Sequence, residues 1–318
     1  MLKKLVGILF LILAVAGCSS PTDLSPTPTV FMEQVVFQPT LTPELISAAT
    51  STSLPEATSN PTAIPATPQP PISDPSVILA RVKGGLNSFF VVGGSHNGSW
   101  QSPVDVAAGT SFETEFQIFS AFDLKDQISG QEPMLEPICN QYFINLNMPS
   151  LSQSAVGVSG QWDVLPRLPL ELSVDAEVHL RAITAWQIEQ APSMPIPFID
   201  KVWMIDIEGN GTDEVFINGT RYAEPTGHNV GPRDYSVVLM RTEIGSELVT
   251  KVLVGDYYSE DAENQFPLTY NLEFIGDLNG DGKLEVVVGV SRWEGSGVMI
   301  FEIDGADVQL VLSVMCSL

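Results

Sequence analysis

Two nine-residue stretches, Asp206-Ile-Glu-Gly-Asn-Gly-Thr-Asp-Glu214 and Asp277-Leu-Asn-Gly-Asp-Gly-Lys-Leu-Glu285, align without gaps 71 residues apart. Both place oxygen donors at alternate positions. A hard cation such as Ca²⁺ takes about six to eight oxygens at about 2.3–2.6 Å, and a tight loop delivers them from positions 1, 3, 5, 7 and 9. In the second stretch these are Asp277, Asn279, Asp281, the carbonyl of Lys283, and Glu285. In the first they are Asp206, Glu208, Asn210, the carbonyl of Thr212, and Glu214. Gly211 and Gly282 occupy the sixth position, where the chain must turn sharply. Glu208 and Asn210 stand where the second copy has Asn279 and Asp281, so 277–285 is the stronger of two expected Ca²⁺ sites.

Strands must hold these loops. Lys201-Val-Trp-Met-Ile205 runs into the first and Val215-Phe-Ile217 leaves it; Leu272-Glu-Phe-Ile275 enters the second and Val286-Val-Val-Gly-Val290 leaves it. β-Branched and aromatic runs continue at 235–243 and 247–254 after the first loop, and at 297–303 and 308–314 after the second. Each unit is thus predicted as four antiparallel strands, the size of a propeller blade. An EF-hand needs a Glu at position 12 and flanking helices, but Ile217 and Val288 stand there inside strands. The two units resemble FG-GAP or VCBS-type repeats, the calcium-bearing blades of integrin-α-like propellers and of many bacterial surface proteins. Asp277-Leu-Asn-Gly-Asp-Gly-Lys-Leu-Glu-Val286 matches the motif closely, and the copy at 206 departs from it. The resemblance covers residues 200–318 and implies a calcium-stabilised β architecture.

Propellers usually have four or more blades, more than two units and the roughly 120 residues before them obviously supply. The expectation is a mainly β body: two four-stranded antiparallel blade-like repeats at 200–318, and an upstream β-rich module at 77–199 with one helix. An incomplete or small ring fits that material. The helix is placed at 175–190, where Val178, Ala182, Ala185 and Trp186 share a face and Pro192 closes the segment.

The chain has 38 Asp+Glu against 14 Lys+Arg, a net charge of -24 over 318 residues, so it offers no basic face for nucleic acid. Only 16% of residues are charged while 44% are hydrophobic, so the imbalance reflects missing Lys and Arg and the chain can build a core. No Gly-x-Ser-x-Gly elbow, phosphate-cradling Gly-x4-Gly-Lys loop or His-Glu-x-x-His occurs, and His96, His179 and His228 are isolated. No catalytic residue is assigned. Carboxylate pairs remain open, because glycoside hydrolysis carries no short signature.

Residues 1–17 read as an export signal: Lys3 and Lys4, then an apolar run from Leu5 to Ala16 too short to span a bilayer. The ending Val15-Ala-Gly-Cys18 resembles the lipobox of bacterial lipoproteins, which implies lipidation of Cys18 with fatty acyl chains, palmitate among them. Two or more chains anchor stably. Residues 18–76 read as the anchor and a disordered stalk, since 19–76 hold 12 Pro, 10 Thr and 9 Ser and no Lys or Arg. Its reach lies between roughly 40 Å as a coil and roughly 180 Å extended. Cys139 and Cys316 then remain, either as a disulfide or as two buried thiols.

The expectation for function is a calcium-binding lipoprotein on the outer side of a bacterial cell membrane, with a non-catalytic β body that binds an extracellular protein or glycan. The alternative is an extracellular glycan-directed hydrolase in which the calcium loops are structural.

Overall fold

The computed structural model describes residues 75–82, 88–146, 153–191, 193–223, 229–259 and 266–317. The export signal, Cys18, the stalk up to 74 and His228 lie outside the described residues. No helix among the described residues is long and apolar enough to cross a membrane.

Residues 76–158 form eight strands: β1 (Ser76–Arg81), β2 (Phe89–His96), β3 (Ser99–Gln101), β4 (Glu115–Ser120), β5 (Asp123–Ser129), β6 (Met134–Glu136), β7 (Gln141–Ile144) and β8 (Ala155–Val158). They make one sheet, β5-β4-β8-β1-β2-β7-β6, with β3 paired to β2. β1 begins one residue inside the expected stalk, because Ser76 is buried and its hydroxyl accepts from Ser95 N. The second sheet runs β13-β12-β11-β10-β9, from β9 (Leu170–Glu171), β10 (Lys201–Ile205), β11 (Glu214–Arg221), β12 (Tyr235–Ile244) and β13 (Glu247–Tyr257). The third is a four-strand meander of β14 (Thr269–Gly276), β15 (Glu285–Arg292), β16 (Gly295–Asp304) and β17 (Asp307–Ser317). The protein is mainly β, its strand pairs are antiparallel, and none of the three sheets is closed.

Packing stacks these layers with the third sheet in the middle. One face presents Leu272, Val286 and Val288 to Trp203, Ile205, Phe216 and Met240 of the second sheet. The other presents Val287, Val298, Ile300 and Val314 to Ile78, Val92, Phe143 and Val158 of the first. A strand buried on both faces has no reason to alternate, which is why β15 reads as a continuous apolar run.

Among the described residues two helices are present where one was expected. The additional one, α1 (Pro103–Ala107), is a single turn, too short for any periodicity to reveal, started by the Ser102 hydroxyl accepting from Asp105 N. The expected helix is α2 (Glu177–Gln190), and it packs on the second sheet against Val202, Ile217 and Tyr235. Its buried face is His179, Ala182, Ile183, Trp186 and Gln187, whereas Val178 and Ala185 of the expected face are exposed. The polar Gln187 belongs inside because its amide takes both backbone groups of Ile196, accepting from N at 2.7 Å and donating to O at 3.2 Å.

The β4–β5 hairpin turns through Ala121 and Phe122, both non-glycine residues at positive φ (50° and 60°). A two-residue hairpin turn wants that geometry but is ordinarily built from Asn and Gly. Here the second position carries an anchor: the Phe122 ring lies edge-on to Trp203 at 4.7 Å and stacks on Phe274 at 5.5 Å. It thereby ties all three sheets together. Cys139, between β6 and β7, is disulfide-bonded to Cys316 of β17, with their Cα atoms 5.0 Å apart. Closing a loop of 177 residues is worth at most about 5 kcal/mol on the chain-entropy account.

Candidate metal centre

The two oxygen-rich loops connect β10 to β11 and β14 to β15, and they fold by one set of internal bonds. Position 1 accepts from the amide of position 6: Gly211 N on Asp206 at 2.8 Å, Gly282 N on Asp277 at 3.0 Å. The position-5 side chain accepts from position 7, with Thr212 N on Asn210 and Lys283 N on Asp281, both at 2.8 Å. The position-9 Glu accepts from position 2, Ile207 N on Glu214 at 3.0 Å and Leu278 N on Glu285 at 2.7 Å. Glycines at positions 4 and 6 take positive φ in both copies (70° and 87°; 81° and 88°), a conformation that side chains with a Cβ resist.

The loops lie side by side. Leu284 N donates to Ile207 O at 2.9 Å, and one Arg167 amino group donates to both Ile207 O (3.1 Å) and Gly282 O (2.9 Å). Asp277 is further held through its own backbone, its N donating to Val164 O and its O accepting from Trp162 Nε1 at 2.8 Å. No motif pointed to Arg167 or Trp162; their roles come from contacts between residues 40 to 115 positions apart in the chain.

The two copies differ at position 9. Glu214 is satisfied on both oxygens, Oε2 by Ile207 N and Oε1 by Thr242 Oγ1 at 3.1 Å. Glu285 is fully buried, and its Oε1 has no hydrogen-bond partner. Burial, then the neighbouring charges of Asp281, Asp277 and Glu302, push the Glu285 carboxyl well above the usual range, against the bond from Leu278 N. Burial likewise raises Asp277 to about 6, opposed by the amides of Gly280 and Gly282. A buried carboxyl oxygen without a donor, in a nest of acids that raise one another, is met either by a proton or by a cation.

The first loop has no such orphan. Glu208 takes the Asn210 amide at 3.0 Å and faces the Lys283 ammonium at 3.6 Å. Among the described residues no three His, Cys, Asp or Glu side chains converge closely enough to ligate one ion. In the second loop the remaining donors are Asn279 and the Lys283 carbonyl, and Asp277 and Asp281 accept from backbone amides while keeping lone pairs in reserve.

A cleft of about 460 Å³ lies elsewhere, between the Ala121–Phe122 turn and the β9, β10 and β14 strands, with Glu171, Glu273, Lys201, Trp203 and Ser154 on its walls. Lys201 is held there over the Trp203 ring at 4.3 Å and donates to Leu272 O at 2.6 Å. Burial lowers its pKa, opposed by the charges of Glu273, Glu171 and Asp200. Of the described histidines, His96 is exposed beside Asn97 and His179 lies on the buried face of α2. Neither meets a nucleophile.

No family model, curated protein or solved structure matches the chain.

Proposed function

We propose that this protein is a calcium-stabilised lipoprotein tethered outside a bacterial cell membrane, whose β body presents a non-catalytic surface to an extracellular protein or glycan. Its two C-terminal sheets are read as FG-GAP/VCBS-like blades of an incomplete propeller, each with its loop between two adjacent strands, β9 adding a fifth strand to the expected four of the first. The observation that carries the reading is the buried, unpartnered Glu285 Oε1 in the loop with the full oxygen spacing. Asp277, Asn279, Asp281, Glu285 and the Lys283 carbonyl would hold Ca²⁺ once the carboxylates, which here accept from backbone amides and do not converge, turn inward; the ion would supply positive charge to a buried acidic nest and tie β14 to β15. The 206–214 loop is read as a structural copy.

Extracellular sites of this kind bind with Kd of roughly 10⁻⁴–10⁻³ M. Millimolar Ca²⁺ then stabilises the fold by about 1–2 kcal/mol. Thermal melting in Ca²⁺ and in chelator tests this, with Asp277→Ala and Asp281→Ala as variants that should lose the shift. A parent protein that melts identically in both buffers ends the calcium reading.

The glycan-directed hydrolase has one observation in its favour, the cleft with Glu171 and Glu273. A screen of glycan substrates decides it: turnover lost in Glu171→Gln or Glu273→Gln would replace the binding reading.

A further inference from the structure

The difference between the two loops lies outside both of them, one strand away. In the second sheet Val215 pairs with Arg241, so the next pair sets Thr242 opposite Glu214, where its hydroxyl caps Oε1. In the third sheet Val286 pairs with Phe301, so the same step sets Glu302 opposite Glu285. A second carboxylate therefore stands where the first repeat has a hydroxyl. Directly opposed like charges destabilise a sheet, with Cβ atoms about 4.5–5.5 Å apart. Here one member is fully buried.

No hydrogen bond joins the two side chains through Glu285 Oε1, which has no partner. Glu302 is instead turned by a donor from the first sheet, Trp100 Nε1, which reaches its Oε2 at 3.1 Å. That bond occupies one oxygen of a half-buried carboxylate and leaves the other available.

We propose that Glu302 is a further ligand-bearing residue of the cation site, a carboxylate supplied from β16 that the loop motif does not contain, oriented by Trp100. This rests on the 277–285 loop binding Ca²⁺. It accounts for the asymmetry of the repeats: Thr242 takes up an acceptor oxygen of the first copy, and Glu302 adds a carboxylate to the second.

Calcium chloride is titrated calorimetrically into the purified full-length chain, into Glu302→Gln, which keeps an acceptor for Trp100, and into Glu302→Thr, which copies Thr242. Both variants should bind Ca²⁺ at least tenfold more weakly. Glu302→Thr should also melt higher than the parent in chelator, since its hydroxyl can cap Glu285. Affinity within twofold of the parent in both variants, with binding still lost in Asp281→Ala, overturns the role of Glu302 and leaves the loop site standing. A parent that binds no Ca²⁺ overturns both.

Discussion

The Lys283 ammonium of the second loop stands 3.6 Å from the Glu208 carboxylate of the first, and 3.0 Å from Asp304. One loop thus meets a positive charge provided by the other, through position 7, whose backbone carbonyl is itself a donor in the oxygen pattern. A parent chain should consequently bind one Ca²⁺, at 277–285. Lys283→Gln withdraws the ammonium, keeps the carbonyl, and should open a second, weaker site at 206–214. Calorimetric stoichiometry checks this, and two equivalent ions on the parent would sink it. The pair is partly exposed, so the substitution itself should cost less than about 1 kcal/mol in chelator.

Glu285→Gln should act with opposite signs in the two ionic conditions. In chelator it replaces a buried carboxyl whose Oε1 has no partner by an amide that can donate to the neighbouring acids, and the fold should gain about 1–3 kcal/mol. In millimolar Ca²⁺ it removes a ligand, and the calcium-dependent rise in melting temperature should vanish. Calorimetric melting in both buffers measures it. A variant less stable than the parent in chelator would mean that the orphaned oxygen carries no penalty.

The Ala121–Phe122 turn separates backbone strain from packing. A non-glycine residue held at positive φ costs on the order of 1 kcal/mol, and Ala121 is exposed, so Ala121→Gly should be neutral or stabilising by about 0.5–1 kcal/mol. Phe122→Ala also relieves no clash but deletes the contacts to Trp203 and Phe274, and should cost about 3 kcal/mol or more. Denaturant titrations of the two variants give the comparison. Equal effects would mean that Phe122 is not an anchor.

The loop at 277–285 was legible because its signals are local: oxygen-bearing side chains at alternate positions, with glycines where φ turns positive. The strands around it were legible from their runs of Val, Ile and Phe. What escaped is set by register and long-range packing. Thr242 lies 28 residues from Glu214, and only the pairing of β11 with β12 brings them together. Glu302 follows by the same pairing one sheet on. Arg167 sits in a segment without a motif, yet clamps both loops. Reading α2 by apolar periodicity turned its face toward Val178 and Ala185, because His179 and Gln187 look like surface residues until Ile196 is seen bonding Gln187. The Ala121–Phe122 turn lacks the Asn-Gly signature, since packing of one ring outweighs local preference.

Tyrosines of the second and third sheets give a pH test independent of any ion. Burial raises Tyr235 to about 12, even though its oxygen accepts from Phe198 N at 2.6 Å. Burial also raises Tyr222, Tyr258 and Tyr270; the last donates to the Asp256 carboxylate at 2.8 Å, which further disfavours phenolate. A folded pKa above the unfolded value near 10 means that the native state keeps its phenolic protons when the unfolded chain releases them. Their contribution is therefore complete below pH 10 and is lost as pH rises through 12 and beyond. Absorbance of phenolate at alkaline pH should show four of the six tyrosines ionising above the ordinary range and together with loss of the circular-dichroism signal of the sheets. Tyr270→Phe removes the group coupled to Asp256 and should shift the alkaline unfolding midpoint upward. Six tyrosines titrating freely near pH 10 in a still-folded chain would contradict the buried arrangement.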